Sequence, residues 1–224
     1  MEHANSTFSH EISARIRLVT EPNDDVPLLH KLITQMAIHH GLSEYLTTTE
    51  ASLSNTLFKS PPFHSLTALI LEVSPNPFPT AIPHEDPMMI NFFNPVIRNN
   101  FNLEAPIFDP ELEFFRSTKN HDVYVAGHVL VFPSYNGFFA KPGLNLDQLF
   151  VRKCYRGIGL GKMLFSAVAS VAASMGMGMV DWLVADWNEE SIKFYEKMGA
   201  HYVNDYRLCK LYGEKLQQYA TISG

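Results

Sequence analysis

The segment Arg152-Lys-Cys-Tyr-Arg156-Gly157-Ile158-Gly159-Leu160-Gly161-Lys162 concentrates residues able to do chemistry in this chain of 224 residues. It joins a β-rich run ending at Val151 to an apolar run that reads as a helix starting near Gly161. Glycines at alternate positions let the main chain turn several N–H groups toward one point, and a helix start adds the positive end of its dipole. Arg156 and Lys162 add mobile positive charge. The product is an anion cradle suited to a pyrophosphate, with a plain tight turn as the alternative. It is not a Walker loop, because no Gly-Lys-Ser/Thr closes it. The dinucleotide fingerprint spacing is absent too, and no acidic residue ends the next strand at the usual distance.

Composition narrows the partners. With 18% charged and 46% hydrophobic residues the chain is neither disordered nor collagen-like. Seventeen basic and 23 acidic residues give a net charge of −6, which disfavours nucleic acid and favours a cationic small molecule. The opening MEHANSTFSHEIS lacks the apolar run of a secretory signal and has no arginine before Arg15. Cys154 and Cys209 read as reduced thiols, which points to the cytoplasm. The ten histidines show no metal-ligand spacing, and His39 and His40 point to different faces of a helix, so no metal is expected. Met163 to Val180 carries no charge and reaches the lower limit for a membrane span. Its three serines and the series Met175-Gly176-Met177-Gly178 make it a helix, a turn and a buried strand instead, with no membrane partner.

The elements that must position these residues alternate between strand and helix. Residues 12–20 read as a strand; Asp24 or Asp25 caps a helix to about His40, with Val26, Leu29, Ile33, Met36 and Ala37 on its apolar face. A short helix spans Thr49 to Phe58, and residues 65–74 form a buried strand. Ten of the fourteen prolines lie between Pro61 and Pro110, so about 75–120 reads as an irregular, proline-rich excursion. Residues 123–132, 144–151 and 179–185 read as strands, Glu189–Met198 as a helix stopped by Gly199, 201–211 as a last strand and 213–220 as a terminal helix. The fold class is α/β (α+β), a mixed central sheet flanked by helices. The expected organisation is a flexible N-terminal segment 1–11 and one domain over 12–224 that carries the irregular insertion at about 75–120.

Arg-Gly-x-Gly-x-Gly after Leu-Phe-Val, followed by Trp187-Asn188-Glu-Glu-Ser191-Ile-Lys-Phe194-Tyr195-Glu-Lys-Met-Gly199-Ala200, resembles the Gcn5-related N-acetyltransferase superfamily. Residues 144–200 are similar to spermidine/diamine acetyltransferases. The phrases IRLVT, ILEVSPNPFP, FFAKPG and RLCKLYGEKLQ resemble the plant branch of that group, which holds ornithine/diamine N-acetyltransferases and tyramine N-hydroxycinnamoyltransferases.

The resemblance implies a GNAT-type sheet, a homodimer, and acetyl-CoA or a bulkier acyl-CoA as co-substrate. The implied reaction is direct attack of a small primary amine on the thioester. An alkyl ammonium of pKa near ~10.4 must first lose a proton. Tyr195 is the implied general acid at the coenzyme sulfur, a core tyrosine being the alternative. Asp147 is the implied amine-facing carboxylate, a surface strand carboxylate being its alternative. Gln148 departs from the second carboxylate of diamine acetylators. Leu149, Phe150 and Val151 would offer a bulged strand edge to the pantetheine arm. Gly157, Gly159 and Gly161, with Arg156, Ile158, Leu160 and Lys162, would hold the pyrophosphate. Asn188 would bond the pantetheine amide, with Ser191 one turn along and Lys197 near a phosphate. His40 falls where diamine acetylators carry a glutamate; Glu44 and Asp186 are further acidic candidates for the amine pocket. The leading reading is acetylation of a diamine or ornithine-like amine. Hydroxycinnamoyl transfer to tyramine is the runner-up, and a non-catalytic coenzyme-binding scaffold is the remoter alternative.

Overall fold

The computed structural model describes residues 7–8, 11–80, 93–137, 140–204 and 207–221. They fall into two compact units, Met1–Leu183 and Val184–Gly224.

The first unit holds eight strands: β1 (Thr7–Phe8), β2 (Glu11–Leu18), β3 (Thr67–Ser74), β4 (Val96–Asn102), β5 (Ile107–Phe108), β6 (Tyr124–Asn136), β7 (Lys141–Val151) and β8 (Met179–Trp182). Six form one sheet in the order β4-β2-β3-β6-β7-β8, antiparallel except for the parallel pair β7–β8, while β1 and β5 pair separately. The mixed sheet expected from the sequence is present. Strand β3 is buried along its whole length, as its apolar run Ala68–Leu71 favours and the pairing of Glu72 permits. Its Ala68 and Ile70 pack with Val26, Leu29, Leu32 and Ile33 of helix α1 (Pro22–His39) and Leu53 and Leu57 of α2 (Glu50–Leu57). Each fully buried Leu or Ile there contributes about 1.5–3 kcal/mol. Helix α3 (Leu160–Ser174) follows β7 and packs on β7, β8 and β2. The uncharged run Met163–Val180 thus resolves into α3, a turn at Gly176 and the start of β8. No helix among the described residues is long and apolar enough to cross a membrane.

Three expectations are corrected. Neither Asp24 nor Asp25 caps α1, whose N-cap is Glu21, with Pro22 in its first turn. Asp25 instead accepts from the backbone N–H of Thr20 and Glu21 and takes a two-armed bond from Arg17, at 2.7 and 2.9 Å. Arg17 also donates to the buried Glu72, as does Arg15, so one ionic network ties β2, β3 and the start of α1.

The excursion is not irregular throughout. Residues 81–92 lie outside the described residues, but 93–120 supply β4, β5 and a 3-10 turn at Leu112–Phe115. Strand β4 (VIRNNFN) is an edge strand with few apolar residues, which hid its alternation. The same stretch delivers Asp109 to a fully buried site, where Arg152 bonds it twice at 2.7 Å and the Tyr155 hydroxyl donates at 2.8 Å. Finally, the described residues of 201–211 form no strand: all are exposed and none has a ladder partner. A strand pattern without a neighbouring strand gains no hydrogen bonds from extension.

The second unit holds α4 (Glu189–Lys197), α5 (Gly213–Gln217) and a 3-10 turn over Gln218–Thr221. Helix α4 ends at Gly199, which takes the left-handed conformation at φ 88°, as the sequence indicated.

Candidate active site

Strands β7 and β8 run in register only from Gly143–Leu146 against Met179–Trp182. Beyond Leu146, β7 stays paired with β6 as far as Val151 but has no β8 neighbour. The main-chain groups along that edge of 147–151 are therefore left without a strand partner, as a bound extended group would require. The bulge expected at the strand end lies earlier. Leu146 faces Val131 and Gln148 faces Leu130, so Asp147 is the extra residue. Asp147 is exposed, Leu149 half-buried, and Phe150 and Val151 are buried.

The chain leaves β7 through Arg152 and a 3-10 turn, Lys153–Tyr155, before the glycine loop. The Arg152–Asp109–Tyr155 network fixes this base, with the Arg152 guanidinium stacked 3.8 Å above Phe115. Burial, with the Asp109 carboxylate next, pushes the Cys154 thiol up to about 12, which keeps it inert. Gly157 and Gly159 both adopt left-handed backbone, at φ 82° and 91°, which L side chains rarely adopt. Gly159 is the N-cap of α3, so it offers no side-chain acceptor, and no acidic residue occupies the first turn. The first intrahelical bond there is Met163 N–H to the Gly159 carbonyl, which leaves the N–H groups of Leu160, Gly161 and Lys162 without helical acceptors. Lys162 is exposed, and Ile158 is half-buried.

Arg156 points back into the fold. It donates to the Val151 carbonyl at 2.8 Å, lies 5.5 Å from the Phe150 ring and reaches His39 Nε2 at 3.4 Å. A cation missed by sequence reading stands against the loop: Arg98 Nη1 of β4 lies 3.8 Å from where a Cβ on Gly159 would be. Its guanidinium rests 4.7 Å from the Phe101 ring. The proline-rich composition around Arg98 gave no signal for it.

The C-terminal end of α1 approaches the same strand end. His39 lies 6.5 Å from Phe150 and 5.3 Å from His40, ring to ring. Partial burial, then the neighbouring His39 and Arg156, lower the His40 pKa and keep its ring neutral at pH 7. Glu44 is exposed in the 3-10 turn Ser43–Tyr45. The Gln148 side chain meets a second residue that the sequence did not signal: fully buried His128 on β6, whose Nε2 lies 2.9 Å from Oε1. Burial pushes the His128 pKa down to about 4, so that ring is neutral. Among the described residues, no group of three or more His, Cys, Asp or Glu could hold a metal.

The second unit carries the remaining candidates. Asn188 caps α4 by accepting from Ser191 N–H at 3.2 Å. Tyr195 is buried, its ring 5.1 Å from Phe194, and burial pushes its phenol up to about 12. Asp186 and Lys197 are exposed.

Comparisons with known proteins agree with this geometry. The profile of the acetyltransferase (GNAT) family matches residues 72–200. An L-ornithine N5-acetyltransferase of Arabidopsis thaliana is 44% identical over 212 residues, covering 95% of this chain and 90% of that protein. A tyramine N-feruloyltransferase of Nicotiana tabacum is 36% identical over 223 residues, covering 96% and 95%. Among solved structures, an integron cassette protein of V. cholerae shares the fold with a TM-score of 0.56 at 15% identity, over 93% of this chain and 98% of that one. The glycine loop, the diverging strands and these matches together place the chain in the GNAT acetyltransferase family, on its plant branch.

Proposed function

We propose that the protein moves an acetyl group from acetyl-CoA to the primary amine of a small ornithine-like or diamine substrate, by direct attack within a ternary complex. The observation that carries this reading is the uncapped start of α3 behind Gly157 and Gly159, which follows the part of β7 that β8 leaves unpaired. The three N–H groups of Leu160, Gly161 and Lys162, the Lys162 ammonium and the nearby Arg98 guanidinium suit a diphosphate in charge and donor number. Leu149 and Val151 offer main-chain groups to an extended pantetheine arm. Asn188, Ser191 and Lys197 are proposed as further coenzyme contacts.

The amine arrives as an ammonium of pKa about 10.4 and attacks only after losing a proton. Asp147, exposed at the bulge, is proposed to hold the ammonium and take that proton through water. His40, Glu44, Gln148 and Asp186 are proposed to line the amine pocket. Attack forms the C–N bond, the thioester C–S bond breaks and the sulfur leaves with the electron pair, while the second proton lost from the nitrogen passes to solvent, from which the Tyr195 phenol is later restored. The Tyr195 phenol, protonated at neutral pH, is proposed to donate to that sulfur. Binding both reactants side by side supplies several kcal/mol without a covalent enzyme intermediate.

Hydroxycinnamoyl transfer to tyramine is the second reading. Gln148 in place of a carboxylate and the neutral His40 favour it, as does the tobacco feruloyltransferase relative. Kinetics with acetyl-CoA and feruloyl-CoA against putrescine, ornithine and tyramine separate the two; turnover only of tyramine with the bulky donor overturns the first. We also propose a cytoplasmic homodimer. The exposed Tyr202, Val203, Leu208, Leu211 and Tyr212 near the C-terminus support the dimer, and light scattering tests it.

A further inference from the structure

Gln148 is half-exposed beside the bulge at Asp147 on β7. A carboxylate there would offer only acceptors and attract a second ammonium. What Gln148 offers depends on the residue that holds it. His128 lies on β6 directly opposite Phe150, is fully buried, and contacts the Gln148 side chain at 2.9 Å. Its other nitrogen, Nδ1, has no hydrogen-bond partner among the described residues.

Two arrangements of the pair are chemically possible. In one, Nε2–H donates to the Gln148 carbonyl and Nδ1 is a lone pair in an apolar setting. In the other, the amide is flipped to donate to Nε2, and Nδ1–H becomes a buried donor with no acceptor. Buried orphan donors are the rarer and costlier state, so the first arrangement prevails. The Gln148 carbonyl is then occupied, and the amide nitrogen of this half-exposed residue presents two N–H groups with no partner among the described residues. Gln148 lies two residues before Phe150, whose ring neighbours both His128 and His39 of α1.

We propose that Gln148, locked in this orientation by His128, is a specificity-determining residue that reads a carboxylate on the amine substrate, and that His128 is its positioning residue. The substrate class is then an amino acid with a terminal amine, preferred over a diamine of similar length. A carboxylate accepts an N–H bond from the amide, whereas a second ammonium meets donors facing donors. This inference rests on the proposed amine acylation.

The test compares kcat and KM for ornithine and putrescine at saturating acetyl-CoA in the wild type, Gln148→Glu, Gln148→Leu, His128→Phe and His128→Gln. Gln148 is half-exposed and Gln148→Glu keeps an acceptor for His128, so that variant carries the test even where the variants of buried His128 fail to fold. The wild type prefers ornithine. Gln148→Glu raises the ornithine KM about tenfold or more, leaves kcat within about threefold, and moves the kcat/KM ratio toward putrescine. Gln148→Leu raises the ornithine KM without improving putrescine. His128→Phe narrows the preference, and His128→Gln, which keeps a donor, restores part of it. A kcat/KM ratio unmoved by Gln148→Glu, with acylation intact, overturns the inference alone. A wild type that acylates no amine overturns the proposed function and this inference with it.

Discussion

The carboxylate of Asp109 receives two 2.7 Å hydrogen bonds from the guanidinium of Arg152, at a point where both side chains are almost wholly withdrawn from water. Asp109 comes from the excursion and Arg152 from the foot of the glycine loop, so a stretch with a loop-like sequence braces the loop that carries the chemistry. Removing one partner leaves a buried charge without compensation. Asp109→Ala is expected to lower unfolding free energy by about 3–5 kcal/mol, read from urea denaturation. Glu111, half exposed and 3.7 Å from the same guanidinium, is expected to cost under about 1 kcal/mol when replaced by alanine. Equal losses in the two variants would show that burial does not govern this network.

His128 makes a prediction about acid. Its pKa falls from an ordinary 6.5 to about 4 on folding. Between those values the unfolded chain binds a proton that the folded chain refuses, so stability is complete above about pH 6.5 and declines as pH falls toward 4. The decline attributable to this ring is on the order of 3 kcal/mol. Urea midpoints at pH 7, 6, 5 and 4 check it. His128→Leu is expected to flatten the curve in that window, and an unchanged slope contradicts the assignment.

Tyr195 is expected to act in the chemical step. Tyr195→Phe should reduce turnover by about 10²–10⁴-fold and leave coenzyme affinity nearly unchanged, because the ring's packing survives the loss of the hydroxyl. Steady-state kinetics together with calorimetric titration of coenzyme A check both halves. Full turnover in that variant removes the phenol from the role of acid.

Arg98 is expected to act in coenzyme binding only. Arg98→Ala should raise the KM for acetyl-CoA about tenfold with little change in kcat, and should flatten the dependence of that KM on salt. A loss confined to kcat, or no loss, would mean that the guanidinium beside Gly159 serves the fold alone.

Much of the architecture was legible because its signals are local. The alternation within residues 12–20, the apolar run Ala68–Leu71 of β3 and the glycines before α3 each carry their own physical cause, and the structure follows them. Thr49 closes a capping box with Ser52 at the predicted start of the second short helix. What the sequence concealed depends on distant partners. Strand β4 forms because β2 supplies a ladder, not because VIRNNFN favours extension by composition. The described residues of 201–211 have the better strand pattern but no neighbouring strand. At the site, the glycine loop was legible as an anion cradle, whereas Arg156, the cation first assigned to it, is drawn back to the Val151 carbonyl and Arg98 stands beside it instead. His128 was invisible for the same reason: only the pairing of β6 with β7 sets it against Gln148.

A crystal structure of the protein with bound coenzyme A tests the central claim most directly. The diphosphate oxygens should lie about 2.7–3.2 Å from the backbone nitrogens between Gly157 and Lys162, with the pantetheine arm passing along the β7 edge from Val151 toward Asp147. Coenzyme bound with its diphosphate away from that loop, or its arm away from that edge, contradicts the account.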